Sequence, residues 1–191
     1  MSGRIDLPLT DATVAGLAAG DEVALHGVLY VARDAAHRRF MEALAAGRDL
    51  PFDPAGQLVY YMGPTPAPSG RVIGSCGPTT ASRMDAMTVP LLERGLKGTM
   101  GKGRRSDAVR DACVRFGAVY LVAFGGCGAY LSGFVTAAET VAYADLGPEA
   151  LLRLTVRGFP AIVGLDSRGG DLYARRGASD GRFGQAGKAG V

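Results

Sequence analysis

The chain has 191 residues, of which 48% are hydrophobic and 20% charged, as is typical of one globular domain with a buried core. Its 21 lysines and arginines against 18 aspartates and glutamates leave a formal charge of +3, which does not indicate a nucleic-acid partner. No segment approaches the ~18 consecutive apolar residues that span a bilayer, and the first residues lack the apolar core of a secretory signal, so we expect a cytoplasmic protein without a membrane partner.

Helical and strand patterns alternate from the start of the chain. A capped start at Thr10 predicts a short helix. Residues 21–32 have strand composition, with Gly27 as a bend or bulge. Residues 33–34 then lead into a helix whose apolar positions form one stripe. These positions are Ala36, Phe40, Met41 and Leu44.

A proline-rich connection interrupts the middle of the chain. Strands are predicted at 57–62 and 71–75, and residues 63–70 between them cannot be regular because proline lacks the amide donor. The turn at 76–80 leads into a helix that we expect to restart at 88–90. The apolar positions of this helix are Met84, Met87 and Leu91.

The last part of the chain continues the alternation. Ser106 is the predicted N-cap of an amphipathic helix, and residues 118–124 form an apolar strand that a flexible turn at 125–128 closes. A brief helix is expected after Pro148. Further strands are expected near 140–143, 154–157 and 160–166. We therefore predict an α/β domain over residues 1–173 and a disordered tail, rich in glycine and arginine, over residues 174–191.

Three segments that are distant in sequence concentrate cationic or hydroxyl groups beside glycine or proline turns. They are residues 30–37, 77–85 and 101–106. Two arginines and a lysine converging from them would suit a dicarboxylate, because guanidinium grips a carboxylate with two parallel hydrogen bonds. The three cysteines are odd in number and widely spaced, so any metal centre is expected to come from elsewhere.

Each candidate residue also has a structural interpretation, which is favoured when the residue is taken singly. Arg33 and Asp34 could form a surface pair at a helix start that contributes under ~1 kcal/mol. Arg83 and Asp85 could be helix-surface charges, and Lys102 could be a solvated loop lysine. The hydroxyls and thiols have similar interpretations: Thr79 and Thr80 would cap a helix, His37 would be a structural hydrogen-bonding residue, and Cys76 and Cys127 would be core thiols.

In this order, however, the segments resemble the C-terminal region of class I fumarases and the β subunits of L(+)-tartrate dehydratases and two-subunit fumarases. The resemblance covers roughly residues 5 to 173, and several motifs at suitable separation are more specific than any one of them. The matching segments are Leu7-Pro8-Leu9-Thr10, Ala32-Arg33-Asp34-Ala35-Ala36-His37, Gly63-Pro64, Gly77-Pro78-Thr79-Thr80, Arg83-Met84-Asp85, Gly101-Lys102-Gly103 and Phe159-Pro160-Ala161-Ile162.

This resemblance implies a fold, a cofactor and a partner. The implied fold is a swivelling three-layer β/β/α domain. The implied cofactor is a [4Fe–4S] cluster that a partner α subunit holds, with no metal ligand in this chain. We expect an α2β2 assembly, because pairing of identical subunits is the commonest symmetry.

The resemblance also implies roles for individual residues. Thr79 matches the hydroxyl proposed to exchange the carbon-bound proton; since a threonine hydroxyl is a poor base, it would need neighbouring cations or hydrogen bonds. The substrate-binding residues implied are Arg33, Thr80, Arg83 and Lys102. Possible supporting residues are Asp34, His37 and Asp85.

The implied activity is a hydro-lyase that adds or removes water on a C4 dicarboxylate and that works only with its α subunit. Conversion of fumarate to malate is the favoured reaction, and conversion of L-tartrate to oxaloacetate comes next. Mesaconate is a third candidate substrate, which the sequence does not decide. The alternative is a non-catalytic dicarboxylate-binding or assembly module with the same fold.

Overall fold

The structure, a computed structural model, describes residues 3–177, in which strands and helices alternate. The strands are β1 (Gly3–Asp6), β2 (Glu22–Val31), β3 (Leu58–Tyr60), β4 (Gly98–Gly101), β5 (Val119–Val122), β6 (Val135–Ala142) and β7 (Leu151–Leu165). The helices are α1 (Asp11–Gly16), α2 (Asp34–Ala45), α3 (Asp85–Leu92), α4 (Asp107–Phe116), α5 (Gly128–Ser132) and α6 (Leu172–Gly177), with 3-10 turns at Ala81–Met84 and Ala144–Glu149. The predicted α/β class is confirmed.

Thr10 and Ser106 occupy the predicted N-cap positions, although only Thr10 caps through its side chain. Thr10 caps α1, because its Oγ1 accepts a hydrogen bond from the Thr13 amide at 3.1 Å. Ser106 occupies the N-cap position of α4, and Gly117 ends that helix in the left-handed conformation with φ 58°. Helix α3 begins at Asp85 and continues through Pro90, so the predicted restart at 88–90 is wrong.

The strand predicted at 71–75 is wrong, because the backbone of this segment pairs with the neighbouring loop instead of a strand. The carbonyl of Ser75 accepts from the Thr65 amide at 3.2 Å, and the Ser75 amide donates to Thr65 Oγ1 at 2.8 Å. The segment is therefore part of the irregular connection between β3 and α3.

The end of the domain also differs from the prediction. The two strands expected at 154–157 and 160–166 are one long strand, β7. The helix expected after Pro148 is wrong, since Pro148 lies inside the turn Ala144–Glu149 and β7 follows directly. Helix α6 extends into the region predicted as a tail, and residues 178–191 lie outside the described residues.

The sheet closes on itself. Its strand order is β1-β2-β3-β4-β5-β7-β6, and β2 also pairs with β7, so that β2, β3, β4, β5 and β7 form a ring with β1 and β6 attached at its sides. The neighbours from β2 to β5 are parallel, whereas β7 is antiparallel to both β2 and β5.

The closed sheet separates two hydrophobic cores. Because side chains alternate along a strand, Leu58 and Tyr60 of β3 face the core inside the ring, while Val59 faces the core under the helices. Phe40 of α2 and Leu91 of α3 belong to that outer core. Two strand layers and one helix layer result, which is a three-layer β/β/α arrangement. None of the helices within residues 3–177 is long and apolar enough to cross a membrane.

One arginine inside the domain connects three elements. The side chain of Arg105 is 0% exposed, and its Nε pairs with Asp85 Oδ1 at 2.6 Å. Its Nη1 donates to Thr99 Oγ1 at 3.0 Å, and its Nη2 donates to Thr88 Oγ1 at 2.7 Å. These bonds join the start of α3, strand β4 and the loop that precedes α4.

Aromatic rings and a backbone amide complete the surroundings of Arg105. Its guanidinium lies over the rings of Tyr61 and Tyr120, at 5.3 and 5.1 Å from the centroids. The second oxygen of Asp85 accepts a hydrogen bond from the Ser106 amide at 2.7 Å. Asp85 thus fixes the loop between β4 and α4 at two points.

We predict that Asp85→Ala destabilises the domain by about 3–5 kcal/mol, because it leaves the Arg105 charge buried and unpaired. Denaturant unfolding of the full chain measures this loss. Asp107→Ala is the matched control: Asp107 is 84% exposed and pairs with Arg110 on the surface of α4, so its loss should stay within about 0.5 kcal/mol. Equal losses in the two variants would contradict this account of Arg105.

Candidate functional site

The parallel strands direct their carboxyl ends to one edge of the sheet. Strands β2, β3, β4 and β5 all end there. In α/β sheets, ligands bind in the crevice outside the carboxyl ends of parallel strands. The residues that follow these ends are Arg33 after β2, Gly63 after β3, Lys102 after β4 and Gly125 after β5.

The turn at 78–80 joins this edge between β3 and β4. The Thr79 amide donates to the Tyr61 carbonyl at 2.7 Å, the Lys102 amide donates to the Thr79 carbonyl at 3.1 Å, and the Ala81 amide donates to the Lys102 carbonyl at 2.9 Å. A Cβ placed on Gly101 would lie 3.0 Å from the Ala81 Cβ, so this close approach requires glycine. The turn therefore lies directly beside Lys102.

Arg33 is held in place by a carboxylate that sequence reasoning missed. Its Nη2 donates to Glu149 Oε1 at 2.7 Å, and Glu149 Oε2 accepts from the Ala35 amide at 2.7 Å. A Cβ placed on Gly63 would lie 3.0 Å from Arg33 Nη1, so the chain after β3 covers the guanidinium. Burial tends to raise the pKa of Glu149, but the bonds from Arg33 and Ala35 outweigh it and hold the pKa below its ordinary value.

Arg83 is fixed by Asp34, the first residue of α2. Arg83 Nε donates to Asp34 Oδ1 at 2.9 Å, and Arg83 Nη2 donates to Asp34 Oδ2 at 2.7 Å. This two-point bond defines the plane of the guanidinium as well as its position. Since Asp34 follows Arg33 in the chain, the bond also brings the two arginines into one region.

Lys102 differs from the two arginines because its charge is not balanced. Its side chain is exposed, and it forms no ion pair within residues 3–177. Its Cδ lies 3.6 Å from the Cβ position of Gly125, at the turn after β5. The three cations are thus matched by only two carboxylates, Asp34 and Glu149, which leaves one positive charge for an anionic ligand.

The two threonines of the turn are placed differently. Thr79 is 8% exposed, and its hydroxyl forms no hydrogen bond within the described part of the chain. Thr80 is exposed next to it. Both lie beside Lys102, so the structure brings Thr79, Thr80 and Lys102 together.

The other two supporting residues lie below the edge. His37 is 0% exposed, and its Nδ1 lies 3.0 Å from the Arg33 carbonyl. Because a carbonyl only accepts, the proton belongs on Nδ1. Burial lowers the pKa of His37 to about 4, so the ring is neutral near pH 7. Asp85 anchors the loop after Lys102 through Arg105 and Ser106. Both residues therefore support backbone that places a cation.

The cysteines and other potential metal ligands within the described residues do not form a metal site. Cys76 belongs to the inner core, Cys113 to the outer core, and Cys127 is exposed, so the interpretation of Cys127 as a core thiol is wrong. No group of three or more histidine, cysteine, aspartate or glutamate side chains is arranged to hold a metal ion within residues 3–177. The described residues do not fit an iron–sulfur cluster.

Known proteins are similar in sequence to most of this chain. The protein-family model described as "Fumarase C-terminus" matches residues 2–176. Fumarate hydratase 2 of Leishmania major is 40% identical over 159 residues, which cover 82% of this chain and 28% of that protein. The aerobic class I fumarate hydratase of Escherichia coli K12 is 39% identical over 153 residues, which cover 79% of this chain and 28% of that protein.

A shorter relative matches almost end to end. The putative L(+)-tartrate dehydratase subunit beta of Methanocaldococcus jannaschii is 37% identical over 171 residues, which cover 86% of this chain and 88% of that protein. The chain thus spans 28% of the length of the two fumarate hydratases but most of a separate β subunit. On the match over residues 2–176 and these relatives, the chain belongs to the fumarase C-terminus family.

Proposed function

We propose that this chain is the β subunit of a hydro-lyase that reversibly adds water to a C4 dicarboxylate, with fumarate and malate favoured over L-tartrate and oxaloacetate. One observation supports this most: Arg33 and Lys102 each follow a parallel strand at the same carboxyl edge, and Arg83 is bonded to Asp34, the residue after Arg33. A family match and relatives named fumarate hydratase and tartrate dehydratase subunit beta agree with it.

The two arginines are suited to binding carboxylates because their positions are fixed beforehand. Asp34 occupies the Nε and Nη2 edge of Arg83, and nothing within residues 3–177 accepts from its Nη1. Glu149 occupies one amino group of Arg33, Gly63 lies against the other, and the buried Nε has no partner within the same residues. Fixing the guanidinium groups before the substrate arrives removes part of the ordering cost of binding. Lys102 adds a mobile charge that can follow the substrate.

The charge at the edge also suits the reaction. Two carboxylates against three cations leave a net positive site, which attracts a dianion. Removal of a proton next to a carboxylate places extra negative charge on that carboxylate. Cations already aimed at it stabilise this charge without reorganisation, which lowers the barrier.

Thr79 is the residue that we propose to exchange the carbon-bound proton. Its hydroxyl is at the same edge, is mostly buried and has no partner within residues 3–177 that would occupy it. The neighbouring Lys102 is the cation that would stabilise a deprotonated hydroxyl. Thr80, exposed beside it, is proposed to contact the substrate carboxylate.

The proposal places the metal chemistry on another chain. A [4Fe–4S] cluster on a partner α subunit would supply a Lewis acid for the substrate hydroxyl and carboxylate. Support comes from the exposed Thr80, Arg83 and Lys102, which leave one side of the edge open, and from the relative named subunit beta. An α2β2 assembly in the cytoplasm and a domain over residues 1–173 belong to the same proposal.

Co-expression tests this function directly. The partner chain should come from the same organism. It should be similar to the part of the Escherichia coli fumarate hydratase that the present match does not cover. After anaerobic reconstitution with iron and sulfide, turnover of fumarate, malate and L-tartrate should require both chains. Turnover of none of these acids by an associated, cluster-containing complex would contradict the proposed reaction.

We predict that Arg83→Ala in this complex lowers kcat/KM by roughly tenfold to a hundredfold, because a hydrogen bond to a charged group contributes about 1.5–3 kcal/mol. Steady-state kinetics measures the change. Arg110→Ala is the control, since Arg110 pairs with Asp107 and Asp111 on the surface of α4. Unchanged kinetics in Arg83→Ala would remove Arg83 from the substrate site.

We predict that Thr79→Val lowers kcat by about 10²–10⁴-fold, the range for loss of a proton-transfer group, whereas Thr79→Ser keeps most of it. Exchange of the substrate C–H proton with solvent deuterium, followed by NMR, should decline in parallel. Thr136→Val, which alters an exposed threonine on β6, is the control. Normal proton exchange in Thr79→Val would show that another group transfers the proton.

A further inference from the structure

Two exposed aromatic side chains lie in one groove of the domain. Within residues 3–177 the large exposed hydrophobic residues are Val72, Val114, Phe124, Tyr130 and Val141. Two of them, Tyr130 at 63% exposure and Phe124 at 37%, line the same groove. Single exposed apolar residues are ordinary, whereas a contiguous group indicates an interaction surface.

The groove lies on the outer surface of β2 and β7 and has a volume of about 330 Å³. Pro160 and Ile162 of β7 point into it, while Ala161 between them points into the inner core. Phe134 forms part of its wall, and Glu22 is the one charged residue among those that line it in the described chain. The side chains that line the groove are thus mostly apolar and nearly uncharged.

Its aromatic side chains are held in defined positions. The rings of Tyr130 and Phe134 meet edge to face at a centroid distance of 5.0 Å, and Phe134 in turn meets the buried Phe159 at 6.3 Å. A chain of aromatic contacts therefore connects the exposed Tyr130 to the core. Rigid, preorganised aromatic anchors are typical of the central residues of protein interfaces.

The Phe124 and Tyr130 end of the groove lies near segments of the candidate site, whereas its β2 residues are at the amino end of that strand. Phe124 directly precedes Gly125, which packs against the side chain of Lys102. Tyr130 lies on α5, which begins at Gly128, and the Gly128 carbonyl accepts from the Cys76 amide at 2.9 Å. Residue 76 begins the turn that contains Thr79. A molecule bound at this end of the groove would therefore border the Lys102 and Thr79 side of the edge.

We propose that the surface formed by Phe124, Tyr130, Phe134, Pro160 and Ile162, the aromatic face, binds the subunit that completes the substrate site. This inference rests on the proposed function. The chain covers only 28% of each of these two fumarate hydratases, and the part of such an enzyme that lies outside the match is the occupant that we infer for the face. The apolar, nearly uncharged character of the face selects a partner surface that is itself apolar or aromatic.

Charge placed in the aromatic face tests the proposal. Phe124→Asp and Tyr130→Asp should each weaken binding of the partner chain by at least roughly 30-fold, the effect of losing an interface residue that contributes about 2 kcal/mol. The probe is the reconstituted partner from the same organism, and calorimetry gives the Kd. Val114→Asp is the matched control, because Val114 is 46% exposed on α4 and does not line the groove.

The outcomes separate this inference from the proposed function. Parent-like Kd values for Phe124→Asp and Tyr130→Asp, with turnover retained, would overturn the aromatic face and leave the hydro-lyase proposal intact. Failure of the parent chain itself to bind the partner would overturn both. Denaturant unfolding identifies any variant that fails to fold. In that case the Kd of Tyr130→Ala, which adds no charge, decides whether the aromatic face binds the partner. If Phe124→Asp and Tyr130→Asp lose only the binding of this chain to a second copy of itself and still bind the partner, the face is a contact between copies, which contradicts the proposal.

Discussion

The pairing of β2 with β7 is the contact on which the rest of the molecule depends. It closes the sheet into a ring and leaves β2, β3, β4 and β5 parallel, with their carboxyl ends at one edge. Cations from segments nearly 70 residues apart, Arg33 and Lys102, lie at the same edge because each follows one of these strands. The site is therefore a consequence of strand direction, with short loops determining which side chains reach it.

Carboxylates determine where three arginines point. Glu149 holds Arg33, Asp34 holds Arg83, and Asp85 holds the buried Arg105, which fixes the loop after Lys102. Two of these three pairs aim a guanidinium at the edge, and the third supports the backbone beneath it. Preorganisation of this kind is what a site needs if it is to stabilise charge that appears only during the reaction.

Local sequence signals predicted the amphipathic helices α2 and α4, and long-range contacts were beyond their reach. The apolar period of α2 and α4 is visible in the sequence because it repeats within each helix. Strand β7 looked interrupted since Gly158 and Pro160 are typical breaks. Glu149 gave no signal, because its bond to Arg33 spans 116 residues. Arg33, Arg83 and Lys102 were identified only through the family resemblance, since each taken singly resembles an ordinary surface charge.

The central claim is that this edge binds a dicarboxylate, and a crystal structure of the two-chain complex with succinate tests it most directly. Succinate is a saturated C4 dicarboxylate, so it can occupy the site without accepting water. The account predicts carboxylate oxygens at about 2.7–3.2 Å from the guanidinium groups of Arg33 and Arg83 and from the Lys102 ammonium. Succinate bound elsewhere, with these three side chains facing solvent, would contradict the account.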